Sequence, residues 1–250
     1  MKNIMSVIIA AAGSGARMGG VSKAFLTLGR RTILSYSLQT FASLPETAEI
    51  IVVVNPRDLA AAARLLARAR KRYKISHIVE GGKIRQESVA NGLAHVAPDA
   101  DLIAVHDAAR PFVTAGLVRR VIAAAVRHGA AIPAAPVKDT LKRAAKDRRI
   151  LETVSREGLW HVQTPQIFEA QLLRQAYRKY ARKGKFTDDA LLVERMGRPV
   201  FIVESDYTNL KITTPADMLI ARAIARISQG RRGGGRYCGR IMDSSRGNGC

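Results

Sequence analysis

The chain has 250 residues, with 41 Lys and Arg against 20 Asp and Glu and a formal net charge of +21. That length gives one large or two small domains with a real core, and a hydrophobic fraction of 47% is ordinary for a folded protein. No apolar run approaches the ~20 residues of a membrane-spanning helix, no leader-like cleavage pattern is visible, and the two cysteines, Cys238 and Cys250, both fall in the last stretch, which excludes a disulfide frame, a thiolate metal site or a Cys nucleophile in the body. A cytoplasmic protein without a membrane partner is expected. The charge raises a nucleic-acid partner. Yet the basic residues gather in Arg57–Lys74 (Arg64, Arg68, Arg70, Lys71 and Arg72), in Arg174–Lys185 and in the tail, and none of these stretches is interleaved with stacking aromatics. Solvated basic faces, with no specific nucleic acid, are the simpler reading.

The apolar run from Met5 predicts a buried strand over Met5–Ala11. It leads into Ala10-Ala11-Ala12-Gly13-Ser14-Gly15-Ala16-Arg17-Met18-Gly19-Gly20-Val21-Ser22-Lys23. Small residues bring the backbone close to a ligand, and successive N–H groups there can cradle phosphate oxygens. Arg17 adds a planar cationic fork and Lys23 a point charge. The spacing fits neither G-x-G-x-x-G, since the glycine after Gly15 is Gly19, nor the Walker pattern, since Ala24 follows Lys23. It resembles the A-A-G-x-G-x-R-M-x-x-x-x-K loop of sugar-phosphate nucleotidyltransferases.

Helical periodicity over Thr32–Leu44 turns Ile33, Leu34, Leu38 and Phe41 to one face. Ile50–Val54 reads as a strand buried on both faces, Arg57–Lys74 as one amphipathic basic helix, and Ile75–Val79 as a third strand. A helix over Gln86–Val96 turns Val89, Leu93 and Val96 inward. Leu102–His106 is a fourth strand, and Ala115–Arg127 a helix with Leu117, Val121 and Val126 inward. This alternation predicts an α/β fold, a Rossmann-like and mostly parallel sheet flanked by helices, with ligands beyond the carboxyl ends of the strands. Val137–Ala144 and Ile150–Ser155 flank the polar turn Ala145–Arg149 and predict a projecting β-hairpin arm over about 137–158. A lone hairpin is marginal in water, so a second subunit is expected to cover it. Further on come a helix near Glu169–Arg182, a helix capped by Thr187-Asp188-Asp189, a strand over Val200–Glu204, and a final helix opened by Pro215 and running to about Ile227. Residues 1–229 read as one domain and 230–250 as a Gly/Arg-rich disordered tail.

The polar stretches at predicted strand ends, taken in order, are Ala10–Lys23, Glu80-Gly81-Gly82-Lys83-Ile84-Arg85-Gln86-Glu87-Ser88, His106-Asp107-Ala108-Ala109-Arg110-Pro111, Asp139-Thr140-Leu141-Lys142, Arg156 before Gly158-Leu159-Trp160, Gln163-Thr164-Pro165-Gln166, and Lys211. Together they closely resemble the 2-C-methyl-D-erythritol 4-phosphate cytidylyltransferases of the non-mevalonate isoprenoid route, over about residues 4–228. The resemblance implies joining of CTP and methylerythritol 4-phosphate with release of pyrophosphate. It implies Mg²⁺ bound mainly through the CTP phosphates, and a homodimer that exchanges arms. Arg17 and Lys23 match the catalytic cations. Ala10, Ala11, Ala12, Gly13 and Gly15 match the phosphate-wrapping loop, and Gly82, Ser88 and Ala108 further nucleotide contacts. Asp107, Arg110, Thr140, Arg156 and Lys211 match substrate contacts, with Thr140 and Arg156 serving the neighbouring subunit. The family usually has Pro and Gln where Ser22 and Ala24 stand, and an acidic residue where Lys83 stands. A ribitol-5-phosphate cytidylyltransferase shares the first loop and the Asp-Ala-x-Arg-Pro motif and is the nearest alternative. A basic nucleic-acid-binding protein is the alternative from another class. His77, His95, His128 and His161 have no ligand spacing and read as structural.

Overall fold

The computed structural model describes residues 3–13, 22–181 and 183–230. The Arg17 and Gly15 positions of the first loop, and the tail beyond 230, lie outside the described residues. An eight-stranded sheet and its connections build the body. β1 (Met5–Ala11), β2 (Thr47–Val54), β3 (Ile75–Glu80) and β4 (Leu102–Asp107) run parallel, with β1 between β2 and β4. The helices that follow these strands are α1 (Ile33–Ala42), α2 (Leu59–Leu66), α3 (Arg85–Leu93) and α4 (Ala115–His128). β5 (Ala130–Pro136) continues the sheet.

The apolar strands alternate between two buried layers, as the two-residue period of a strand requires. On one side Val7, Ile9, Val52 and Val54 pack with Leu34, Leu38 and Phe41 of α1 and Val118, Val121 and Ile122 of α4. On the other, Ile8, Ile51, Val53 and Val105 pack with Val89 and Leu93 of α3. Gly92 is needed there: a Cβ would stand 2.7 Å from Ile8 Cγ2 and 2.9 Å from Val53 Cγ2.

The second half adds the arm and then re-enters the sheet. β6 (Leu141–Ala144) and β7 (Ile150–Val154) pair antiparallel as a separate hairpin around the polar turn, as expected. β8 (Trp160–Val162) and β9 (Gln166–Glu169) run antiparallel to β5, and β9 also pairs with β4. α5 (Ala170–Tyr180) and α6 (Ala190–Glu194) cover the face already held by α3. β10 (Phe201–Glu204) pairs parallel with β5. α7 (Pro215–Gly230) closes the described chain, with Pro215 as its first residue. Its entry is fixed by Asp217, whose Oδ2 accepts from the N–H of Thr213 and Thr214 at 2.6 and 2.7 Å.

Two expectations change. The basic segment is not one helix: α2 stops at Leu66, a 3-10 turn over Ala67–Ala69 follows, and Lys74 takes a positive φ of 54°. Lys74 Nζ donates to the carbonyls of Leu44 and Thr47 at 3.0 and 2.7 Å, so a tertiary anchor overrides the helical propensity of the segment. On α4, Val126 is 51% exposed and Ala125 is buried in its place, because the inward stripe follows 118, 121, 122 and 125 at helical spacing.

Candidate active site

A cleft of about 750 Å³ opens beyond the carboxyl ends of β1, β2, β3 and β4. Connections leave in opposite senses from β1 and β4, and adjacent parallel strands that part in this way leave a crevice between their loops. Each strand contributes its next residues to the wall: Ala12 and Gly13 after β1, Asn55 and Pro56 after β2, Gly81 and Gly82 after β3, Ala108 and Ala109 after β4. Lys23, Arg85, Glu87, Ser88, Lys211 and Thr213 complete it.

The small residues are there for space. A Cβ on Gly81 would lie 2.3 Å from Ala12 Cβ and 2.8 Å from Ser88 Oγ, and one on Gly82 would lie 2.2 Å from Glu87 Cβ. The wall is tied by backbone bonds: Ala108 N to Ala10 O at 3.0 Å and Gly81 N to Val54 O at 2.7 Å. Ser88 Oγ accepts from Gly82 N at 3.1 Å, and Glu87 Oε2 accepts from Lys83 N at 2.7 Å. Asn55 Nδ2 donates to Ala12 O at 3.4 Å. Asn55 carries no motif of its own in the sequence; the fold alone brings it to the cleft.

The charged side chains converge on Asp107. Arg85 Nε meets its Oδ1 at 3.0 Å and Lys211 Nζ its Oδ2 at 2.6 Å. Burial by itself pushes the carboxyl up, but the charges of Arg85 and then Lys211 outweigh it and hold Asp107 well below the usual carboxylate range. Lys23 Nζ donates to Thr213 O at 2.8 Å, which puts its ammonium on the same wall as Lys211. Arg85 was given no role of its own from the sequence; the signal for it was its place inside the Glu80–Ser88 stretch, at the start of α3.

His106 supports this turn from inside the core. It is fully buried, and burial foremost, with Arg110 and Arg85 adding to it against Asp107, pushes its ring down to about 3, so the imidazole is neutral. Thr164 Oγ1 accepts from Asp107 N at 3.1 Å and lies 3.1 Å from His106 Nδ1. Arg110 O lies 3.2 Å from Nε2 and can only accept, so the one proton of the neutral ring belongs on Nε2, and Nδ1 accepts from the Thr164 hydroxyl. The two ends of the 107–110 turn are thus fastened through one ring.

The sequence-predicted residues divide into four groups. Ala10, Ala11, Ala12, Gly13, Lys23, Gly82, Ser88, Asp107, Ala108 and Lys211 all line the cleft. Arg110 lies behind it: Nη1 donates to Asn209 O at 2.7 Å and Nη2 to Val162 O at 3.3 Å, and it is not part of the cleft wall. Thr140 and Arg156 sit exposed on the arm, with Arg156 Nη1 bonded to Lys138 O, and neither reaches the cleft of its own chain. Arg17 and Gly15 are outside the described residues.

The sequence profile of the 2-C-methyl-D-erythritol 4-phosphate cytidylyltransferase (IspD) family matches residues 5–227. The chain belongs to this family. It is 43% identical over 235 residues to the 2-C-methyl-D-erythritol 4-phosphate cytidylyltransferase of Pelotomaculum thermopropionicum, covering 91% of this chain and 96% of that protein. It is 44% identical over 219 residues to the protein of that name from Geobacillus kaustophilus, covering 87% and 95%. The crystal structure of the Thermus thermophilus cytidylyltransferase superposes with a TM-score of 0.73 at 41% identity, covering 89% of this chain and 99% of that one. The 4-diphosphocytidyl-2C-methyl-D-erythritol synthase of Anaerococcus prevotii superposes with a TM-score of 0.78 at 32% identity, covering 90% and 96%. The mostly parallel sheet with its cleft at the β1/β4 ends is therefore the cytidylyltransferase fold. Among the described residues no helix is long and apolar enough to cross a membrane.

Proposed function

We propose that the cleft holds CTP along the Ala10–Gly13 turn and the Gly81–Ser88 wall, and takes methylerythritol 4-phosphate on the side of Asp107 and Lys211. A phosphate oxygen of the acceptor attacks the α-phosphorus of CTP. The bond from that phosphorus to the bridging oxygen breaks, pyrophosphate leaves, and 4-diphosphocytidyl-2-C-methyl-D-erythritol remains. The attacking monoester is already anionic near neutral pH, so no strong base is needed. The site agrees with that: Asp107 is tied to two cations and the His106 ring is buried. What remains is to align the reactants in line and to balance the charge that builds on the phosphoryl oxygens and the leaving group. Lys23 stands on the wall for that task, and the family resemblance gives Arg17 the same one. The observation that carries the reading is the meeting of a small-residue cradle with Lys23 and Lys211 at one end of the sheet.

Mg²⁺ is part of the proposal as a companion of the triphosphate. Among the described residues no three His, Cys, Asp or Glu side chains gather to hold a metal. The cleft instead presents a cradle of backbone and small side chains that suits a hydrated, phosphate-bound ion. When bound, the ion supplies positive charge on the phosphate oxygens.

We also propose a homodimer that exchanges the β6–β7 arm, working in the cytoplasm. Ile150 and Leu151 on the arm are 60% and 55% exposed, and a two-stranded hairpin is marginal in water without a surface to pack on. Thr140 and Arg156, which miss their own cleft, would then complete the partner's. Mixing Arg17→Ala with Arg156→Ala subunits should restore activity; no complementation would show that each arm serves its own chain. The reaction is tested by pyrophosphate release with CTP against ATP, GTP and UTP, and with methylerythritol 4-phosphate against ribitol 5-phosphate. Preference for ribitol 5-phosphate would overturn the choice of acceptor.

A further inference from the structure

The two cations on Asp107 are not alike. Lys211 comes from the loop before α7, its side chain is 42% exposed, and its Nζ meets one carboxylate, that of Asp107. Arg85 opens α3, its side chain is 28% exposed, and it bridges two carboxylates, with Nε on Asp107 Oδ1 at 3.0 Å and Nη1 on Asp189 Oδ2 at 2.8 Å. The second contact is an ion pair whose angle falls outside hydrogen-bond geometry.

Asp189 is firmly held. Its side chain is 1% exposed, and its Oδ1 accepts from Tyr177 Oη of α5 at 2.5 Å. Gln166 Oε1 of β9 accepts from the N–H of Asp189 and Ala190 at 3.0 and 3.1 Å, while Gln166 Nε2 donates to Asp188 Oδ2 at 2.8 Å. The run Asp107–Arg85–Asp189–Tyr177 thus fastens the cleft carboxylate to the α5–α6 layer. A guanidinium fork fixed at two points has little freedom to turn; an ammonium on a flexible stem with one half-exposed partner is readily exchanged for another anion.

We propose that Arg85 is a positioning residue of the transfer reaction: anchored on Asp189, it keeps the Asp107 carboxylate in place while Lys211 leaves that carboxylate for the phosphate of the incoming polyol phosphate. This rests on the assignment of the cleft to CTP and methylerythritol 4-phosphate. Once Lys211 has gone, the lone pairs of Asp107 Oδ2 are open to a hydroxyl of the acceptor, and Arg85 is the cation still paired with the carboxylate, with the charge of Arg110 acting from behind. Without the Asp189 anchor, Arg85 is free to follow the phosphate too, and Asp107 loses its fixed orientation.

The test is steady-state pyrophosphate release by wild type, Asp189→Asn, Arg85→Gln, Arg85→Lys and the double variant Arg85→Gln/Asp189→Asn. Asp189 is not on the cleft wall. Asp189→Asn should lower kcat/KM for methylerythritol 4-phosphate about tenfold and leave KM for CTP within about twofold; Arg85→Gln should cost more, Arg85→Lys should recover part of it, and the double variant should be no worse than Arg85→Gln, because both act through one link. Tyr177→Phe removes one O–H from the same anchor without changing a charge, and should show a smaller loss in the same direction if Asp189→Asn folds poorly. A crystal structure with methylerythritol 4-phosphate should show Lys211 Nζ off Asp107 and Arg85 still on it. Wild-type turnover with unaltered Asp189→Asn and Tyr177→Phe kinetics, or multiplying losses in the double variant, would overturn the inference alone. No release from folded wild type would overturn the assignment of the cleft and the inference with it.

Discussion

Replacing Gly81 by alanine adds one methyl group at a tight point of the cleft, against the turn that follows β1. The new Cβ would stand 2.3 Å from Ala12 Cβ and 2.8 Å from Ser88 Oγ, whereas carbon atoms rest about 3.5–4.0 Å apart. More than about 1 Å of movement is therefore needed. Neither side yields easily: Ala12 follows directly on β1, whose Ile8 and Ile9 are fully buried, and Gly81 N is held on Val54 O at 2.7 Å. Overpacking of this kind costs about 2 kcal/mol, which in a domain of this size lowers Tm by roughly 4–8 °C. The displaced atoms belong to the proposed CTP cradle, and a shift near 1 Å in a positioning element can cost about a hundredfold in rate. Gly81→Ala should accordingly lower kcat/KM for CTP by between about tenfold and a hundredfold, read by pyrophosphate release, with a parallel loss of Tm in a thermal melt. Wild-type values of both, within about twofold in kcat/KM and 1 °C in Tm, would refute the claim that close approach is what Gly81 provides.

Lys23→Ala removes a charge aimed at the transition state, so kcat should fall by about a hundredfold or more with little change in Tm. Chelation with EDTA should abolish pyrophosphate release and Mg²⁺ should restore it; turnover that survives chelation would remove Mg²⁺ from the mechanism. The buried His106 has its folded pKa lowered to about 3. The unfolded chain therefore takes up the proton first as pH falls, and the stability this group contributes is fully present above its ordinary value near 6.5 and is lost progressively between there and about 3. His106→Gln should be less stable than wild type at pH 7 but lose less stability between pH 6.5 and 4 in denaturant titrations; parallel pH profiles of the two proteins would show that the ring is not buried neutral.

Several features of this chain are decided within short stretches. β1 and β2 are apolar runs too short for helices, and they are fully buried from Val7 to Ile9 and from Ile50 to Val54. α1 carries its inward face at Ile33, Leu34, Leu38 and Phe41, and Pro215 opens α7 in the first turn, where its missing N–H costs no intrahelical bond. The polar stretches at residues 10–13, 81–88 and 106–111 stand at strand ends, so their place in the cleft was readable once the strands were. What the sequence could not fix are the properties that depend on distant partners. The end of α2 depends on Lys74 reaching the carbonyls of Leu44 and Thr47. Arg110 satisfies carbonyls of Asn209 and Val162 behind the cleft, although its motif alone does not separate it from Asp107. Arg85 pairs with Asp189, a residue far along the chain that Gln166 of β9, a strand running against its neighbours, holds on the same face of the sheet as α3. Local sequence sets propensity and apolar period, which act over a few residues; charge pairing between distant segments is set by which strands lie side by side, and the close-packed core of the folded chain decides that.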